Sequence, residues 1–233
     1  MKTKLILIAL SLMLFPIAQL VAQQSEQRNV GPYEGIHVAG SYDVKLIAGN
    51  EGTLQLKGDA GDLEMIETKV KNGTLIIQQK KQSWYKSWNS GKVYITVPVE
   101  QIDHVNLSGS GDIAATFPLE ADEFEVILSG SGDIVLGTAV QTLEATVTGS
   151  GEIQLKGTAL DVDYTLTGSG DINAQALKAD IGSAKITGSG DISMYAKTKV
   201  NITVTGSGDV VCYGNPKQQK SKVTGSGDIR IRD

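Results

Sequence analysis

The stretch Leu107-Ser-Gly-Ser-Gly-Asp-Ile113 decides the fold, because six further versions of it follow. They run from Leu128 to Ile134, Val147 to Ile153, Leu166 to Ile172, Ile186 to Ile192, Val204 to Val210 and Val223 to Ile229, with Glu152 replacing aspartate in the second of these. The acidic positions 112, 133, 152, 171, 191, 209 and 228 are therefore 21, 19, 19, 20, 18 and 19 residues apart. A unit of about twenty residues is too short to bury an apolar face alone, so its copies must stack on one another.

Outward from the acid, the chain alternates. One residue after it stand Ile113, Ile134, Ile153, Ile172, Ile192, Val210 and Ile229; five before it stand Leu107, Leu128, Val147, Leu166, Ile186, Val204 and Val223. Ser or Thr fills every position four before the acid, from Ser108 to Thr224. An inward period of two is that of a strand. Combined with the repeat, it predicts an all-β fold: a coil wound once per repeat, each strand pairing in parallel with its equivalent in the next coil, which is a parallel β-helix. Seven coils at a strand spacing of ~4.8 Å make a column of roughly 34 Å. A β-propeller blade needs about forty residues, and a sandwich of hairpins would not demand one turn at one register in every repeat. The third position after the acid reads Ala115, Leu136, Leu155, Ala174, Met194, Cys212 and Ile231, so the single cysteine is expected to be core filler.

Each Gly-Ser-Gly-Asp segment reads as the corner of a coil, with glycine supplying positive φ and Ser and Asp accepting from turn amides. Asp112, Asp133, Glu152, Asp171, Asp191, Asp209 and Asp228 would then form one structural column. Like charges ~4.8 Å apart cost on the order of 1 kcal/mol per neighbouring pair in water and about four times that at an effective dielectric of 20. The column must therefore be solvated, compensated by backbone N–H groups, or bridged by cations. Gly-rich, Asp-bearing turns are similar to those of nonapeptide calcium solenoids, yet the Gly-Gly-x-Gly-x-Asp spacing is absent and each repeat offers one acid. Turn capping is the leading expectation and calcium the alternative; no other cofactor is implied.

The 233 residues are 40% hydrophobic and 20% charged with 27 Gly, a soluble composition rich in turn formers. Residues 1–24 read as a secretory signal: Lys2 and Lys4, an apolar run from Leu5 to Leu14, then small residues reaching Ala18 and Ala22. Its removal leaves 21 − 2 = 19 basic against 26 acidic residues, a balance of −7. That disfavours nucleic acid and anionic membranes as partners. No Cys follows the signal core, which argues against a lipid anchor. The expectation is an exported chain, in the periplasm or at the cell surface, with no membrane span after signal removal.

Residues 25–35 read as a flexible lead, 36–106 as irregular first coils, and 107–233 as the regular coils of the same solenoid. Val38-Ala-Gly-Ser-Tyr-Asp-Val44 matches the repeat, with Tyr42 in place of its second glycine, and Leu56 to Leu63 is a looser echo. Residues 63–70 suggest one helical turn, and Lys71-Asn-Gly-Thr74 a tight turn. Residues 80–92 break the pattern and hold both tryptophans among four lysines, so they should project from the column. Trp84, Tyr85 and Trp88 are candidates for carbohydrate stacking, a protein contact or a membrane surface; alternatively they fold back over the open end of the core. Pro98 marks a strand end. Ile229-Arg-Ile-Arg-Asp233 closes the chain, and end-to-end stacking of two columns would give a homo-oligomer.

His37 and His104 lie in no catalytic or metal-ligand spacing, and no nucleophile motif or phosphate loop is present. The repeated serines form a ladder, whereas catalysis needs a unique constellation. β-Helices do carry polysaccharide lyases and hydrolases, but these cluster acids with Arg or Lys on one strand face, and the basic residues here are scattered along the sequence. No catalytic residue is assigned.

The signal, Val93-Tyr-Ile-Thr-Val-Pro98 followed by Leu107-Ser-Gly-Ser-Gly-Asp-Ile113, and the succession of (Ser/Thr)-Gly-Ser-Gly-Asp-Ile units resemble the head GIN domain family of auto-transporter adhesins, over about residues 30–233. The resemblance implies a right-handed, single-stranded parallel β-helix exported to the envelope, as in Bacteroidetes-type bacteria. It supplies no ligand-binding motif, and no segment after the solenoid resembles an autotransporter's membrane barrel. The expected role is a non-enzymatic envelope protein presenting Ser, Thr and Asp ladders and an aromatic loop to an extended partner such as glycan or protein. A calcium-stabilised spacer and a polysaccharide-active enzyme are the alternatives.

Overall fold

Two glycines per repeat set the corner. In the computed structural model, which describes residues 24–81 and 91–233, Gly130 has φ +136°, a conformation that side chains rarely adopt. Gly132 lies outside that region, but a Cβ there would sit 1.9 Å from the Gly111 carbonyl oxygen. Successive coils thus touch backbone to backbone. The Gly109 carbonyl accepts from the amides of Ser131 and Gly132 at 3.0 and 3.3 Å, and the Gly149 carbonyl from Ser169 and Gly170 at 2.9 and 3.0 Å.

From these corners the chain runs in strands. They are β1 (Gln24–Asn29), β2 (Gly35–Gly40), β3 (Asp43–Ala48), β4 (Thr53–Gly58), β5 (Ile66–Lys71), β6 (Thr74–Gln79), β7 (Tyr94–Val99) and β8 (His104–Gly109). A short helix α1 (Ala60–Met65) precedes β5. The long bent strands β9 (Asp112–Gly130), β10 (Asp133–Gly149), β11 (Glu152–Gly168) and β12 (Asp171–Gly188) each make most of a coil. β13 (Ile192–Tyr195), β14 (Lys199–Gly206), β15 (Val210–Tyr213), β16 (Gln218–Gly225) and β17 (Ile229–Arg232) finish the column. All neighbours from β8 onward pair in parallel, with Ile113, Ile134, Ile153 and Ile172 in one row and Leu128, Val147 and Leu166 in another. The expected β-solenoid of about seven turns is the fold.

The first coils depart from a simple spiral. β2 pairs in parallel with both β6 and β8, and β3 with both β7 and β9. The β2–β3 coil, which begins near Ile36 as expected, therefore lies inside a coil made by β6 and β7 that comes later in the chain. Outside that, pairing turns antiparallel: β5 with β6, β4 with β7, and β1 with β4. The β5–β6 hairpin is closed by Asn72 (φ 50°) and Gly73 (φ 76°), as the Lys71–Thr74 turn required.

Three expectations need correction here. The lead expected to be flexible over 25–35 includes β1, held by backbone pairing to β4 and by the Arg28 guanidinium, which donates to the carbonyls of Leu63 and Ile66 at 2.7 Å each. Leu56 to Leu63 is no coil: it is the end of antiparallel β4 and the start of α1. The helical turn lies at 60–65 rather than 63–70, because Ile66 onward is pulled into the hairpin.

Inside the column, side chains stack in kind. Tyr164 is fully buried between Ala145 and Ala184 in its row, a large residue accommodated by small ones above and below. Cys212 is buried between Met194 and Ile231, and burial pushes its thiol up to about 11, so it is an inert filler. The rows reach the surface in the last coil, where Val223 is 41% exposed.

Candidate binding surface

Two outward surfaces carry the polar residues. The first is the corner column. Asp43, Asp112, Asp133, Glu152 and Asp171 stand in register, so the column has a first rung at Asp43, which the Val38–Val44 match already signalled. The Asp112 amide goes to the Tyr42 carbonyl at 3.0 Å, but from Asp112 onward an aspartate's carboxylate oxygen accepts the backbone N–H of the next acid: Asp112 from Asp133 at 3.2 Å, Asp133 from Glu152 at 3.2 Å, and Asp171 from Asp191 at 2.9 Å. Asp191 accepts from Asp209, and Asp209 from Asp228, each at 2.8 Å. Glu152 breaks the series; the Asp171 amide above it turns to the Gly151 carbonyl at 3.1 Å. Cations stand at both ends of the column, Lys92 Nζ 3.4 Å from Asp43 and Arg230 2.9 Å from Asp228. Charge-assisted bonds to backbone amides thus offset the repulsion between rungs. Among the described residues, no group of three His, Cys, Asp or Glu is disposed to hold a metal ion.

The second surface is the strand face leading into the corner. Its outermost row is Ser108, Ser129, Thr148, Thr167, Thr187, Thr205 and Thr224, in register from coil to coil. A parallel row reads His104, Glu125, Glu144, Asp163, Ser183, Asn201 and Lys220. Beside it lie Glu123, Thr142, Asp161, Ile181, Lys199 and Gln218. Register corrects an earlier reading: lysines that look dispersed in the sequence collect on this face. Lys185 and Lys222 occupy the row between these and the threonines.

Asp103, His104, Glu123, Phe124, Glu125, Thr142 and Glu144 line a shallow depression of about 420 Å³ at the acidic end. His104 Nδ1 meets the Asp103 carboxylate at 2.5 Å and its Nε2 the Thr74 hydroxyl at 3.1 Å. His37 reaches the Ser108 hydroxyl at 3.4 Å, and its burial, with His104 nearby, holds it below the usual histidine range. Both histidines are thus engaged in surface hydrogen bonds.

Trp84, Tyr85 and Trp88 lie outside the described residues. What is fixed is the position of their segment: Gln78 is in register with Ala39 and Tyr94 with Asp43, so the insertion joins β6 to β7 where inner coils carry a glycine corner. No helix among the described residues is long and apolar enough to cross a membrane.

With this geometry in view, the relatives are informative. A family model described as "putative auto-transporter adhesin, head GIN domain" matches residues 32–216. A crystal structure of a putative adhesin from Bacteroides fragilis superposes with a TM-score of 0.82 at 23% identity, over 90% of this chain and 97% of that one. A structure named as a putative lipid binding protein, from Parabacteroides distasonis, gives 0.71 at 23% identity over 90% and 96%. A putative adhesin from Parabacteroides merdae gives 0.71 at 19% over 90% and 95%. These similarities show the shared fold. A subunit of the FACT complex, pob3 from Aspergillus fumigatus, is 25% identical over 113 residues, 42% of this chain. The chain spans about a fifth of the length of the curated relatives it matches.

Proposed function

Because the chain belongs to the head GIN domain family of auto-transporter adhesins, we propose that it is an exported, non-enzymatic binding protein that holds an extended partner along its outer ladders. The observation that carries this reading is the in-register threonine row from Thr148 to Thr224 beside the corner column. Identical hydroxyls repeat at the strand spacing of ~4.8 Å, which suits a partner that is itself long and regular, such as an envelope glycan or a β-structured protein. The column's interior is filled by side chains, which favours recognition on the outside. The family and the structures it resembles are named for adhesion or binding rather than for catalysis. In this reading Trp84, Tyr85 and Trp88 supply aromatic contacts to the partner.

The test is retention of envelope polysaccharides and envelope proteins on the immobilised protein. Thr148→Val, Thr167→Val and Thr187→Val together remove the hydroxyls at nearly constant shape and should abolish retention of the bound species with little change in Tm. Retention indifferent both to that triple variant and to deletion of 80–92 would overturn the proposal.

A further inference from the structure

The strand face is electrically divided along the column. Its acidic half presents Glu123, Glu125, Glu144, Asp161 and Asp163, and its basic half Lys185, Lys199, Lys220 and Lys222. The change of sign falls between Asp163 and Ser183, neighbouring positions of one row. Between residues 118 and 168 the sequence holds one lysine and no arginine, Lys156 near the start of β11 and away from its 161–167 segment on this face, and from 196 to 225 there is no acid but the corner Asp209. Among the described residues, none of the nine face charges named has an ion-pair partner. Glu125, Glu144 and Asp163 are stacked at strand spacing, and among the described residues, unlike the acids of the corner, they receive no backbone amide from the next coil; the Ser183 hydroxyl donates to Asp163 at 3.2 Å.

At the same boundary stand two of the few large apolar residues left in water. Leu160 is 52% exposed and Ile181 39%, on adjacent coils. An apolar centre flanked by charged ends is the anatomy of a protein interface.

From this arrangement we infer that the face docks a second copy of the same chain, antiparallel, about a two-fold axis running across the column at the acid–base boundary. That axis reverses the column direction and keeps each row opposite itself. Glu125 then faces Lys220 of the other copy, the Glu144 end of one face meets the Lys199 region of its mate, and Ile181 lies opposite Asp161 with Leu160 one residue to its side. Six coils at ~4.8 Å and seven residues at ~3.3 Å give a face of about 29 by 23 Å, roughly 650 Å² per partner. A standard stable interface buries about 800 Å² per partner, so the dimer is of modest affinity and strongly salt-dependent. The seven residues spanned on each coil include the threonine row, so a second copy and the extended partner compete for this face, and the charge reversals below leave the threonines intact and so test the dimer separately.

Charge reversal tests it by sedimentation or light scattering. The unaltered protein should dimerise at about 20 mM salt, with Kd weakening roughly tenfold or more at about 500 mM. Lys185→Glu with Lys199→Glu and Lys220→Glu should be monomeric, as should Glu125→Lys with Glu144→Lys and Asp163→Lys. An equimolar mixture of the two variants should form a heterodimer, because one variant now presents a predominantly acidic face and the other a predominantly basic one. All six side chains are on the outer surface, and an unchanged Tm for each variant confirms that folding is intact. A monomer at every concentration in low salt, a dimer that survives either reversal, or a mixture that stays monomeric would each overturn the proposal; the second outcome would move the contact to another surface, such as the column ends.

Discussion

The corner and the strand face both stack acids from coil to coil, and they treat those acids differently. At the corner, Asp112, Asp133, Asp171, Asp191 and Asp209 each accept the amide of the next rung. On the strand face, Glu125 and Glu144 have no such bond among the described residues, and the acids give way to Lys220 at the far end of the same row. A charge that folding uses is repeated in every coil and bonded to backbone. A charge that folding does not use varies from coil to coil, and its variation is where function is to be sought.

Substitutions can break that contrast, beginning at the glycines that shape the corner. Gly132→Ala places a Cβ 1.9 Å from the Gly111 carbonyl oxygen, and the coils must part to admit it. A loss of about 3 kcal/mol or more in urea-induced unfolding is expected. Next comes the carboxylate itself. Asp191→Ala leaves the Asp209 amide without its acceptor and should lose about 1–2 kcal/mol, whereas Asp191→Asn keeps the Oδ1 acceptor and removes a like charge, so it should stay within about 0.5 kcal/mol of the parent. Equal losses in the two would mean that charge, not the hydrogen bond, holds the rung.

Glu152 sharpens the comparison from the other side. Its neighbour's amide bonds to Gly151 instead, so Glu152→Asp should restore the missing acceptor and raise stability by roughly 0.5–1 kcal/mol, read as a higher Tm. The smallest effect belongs to the strand face, where Glu144→Gln should change stability by less than about 0.5 kcal/mol in either direction. A large loss there would place Glu144 among the residues that folding uses.

Much of the architecture was legible because a repeat reports its own register. Ile113, Ile134 and Ile153 recur at fixed distance from the acid, and in the structure they lie in one row. Cys212 could be placed in the core from its column alone. Legibility failed where the period did. β1 carries no apolar row, so the sequence of residues 24–29 gives no sign that its backbone pairs with β4. The reversed order of the first coils was equally hidden, since Val38 pairs with Leu107 on one side and Ile77 on the other, and no spacing announces which coil lies outermost. The divided face escaped for a different reason. Lys185, Lys199 and Lys220 are far apart along the chain, and only the coil register aligns them. The signal was available, because the segments between corners turn from acid-rich to lysine-rich after Gly168, but it shows only when the repeats are written beneath one another.

The nested position of β2 and β3 has a kinetic consequence. A chain delivered amino terminus first presents these strands long before either flank exists, since Ile36 waits for Leu75 on one side and Val105 on the other. Closing loops of that length is entropically costly and slow compared with adding one coil to the next. The later coils can each dock on the one just made, so the column has a natural growing end at β16 and β17 and a slow, late-sealing end at β6 and β7.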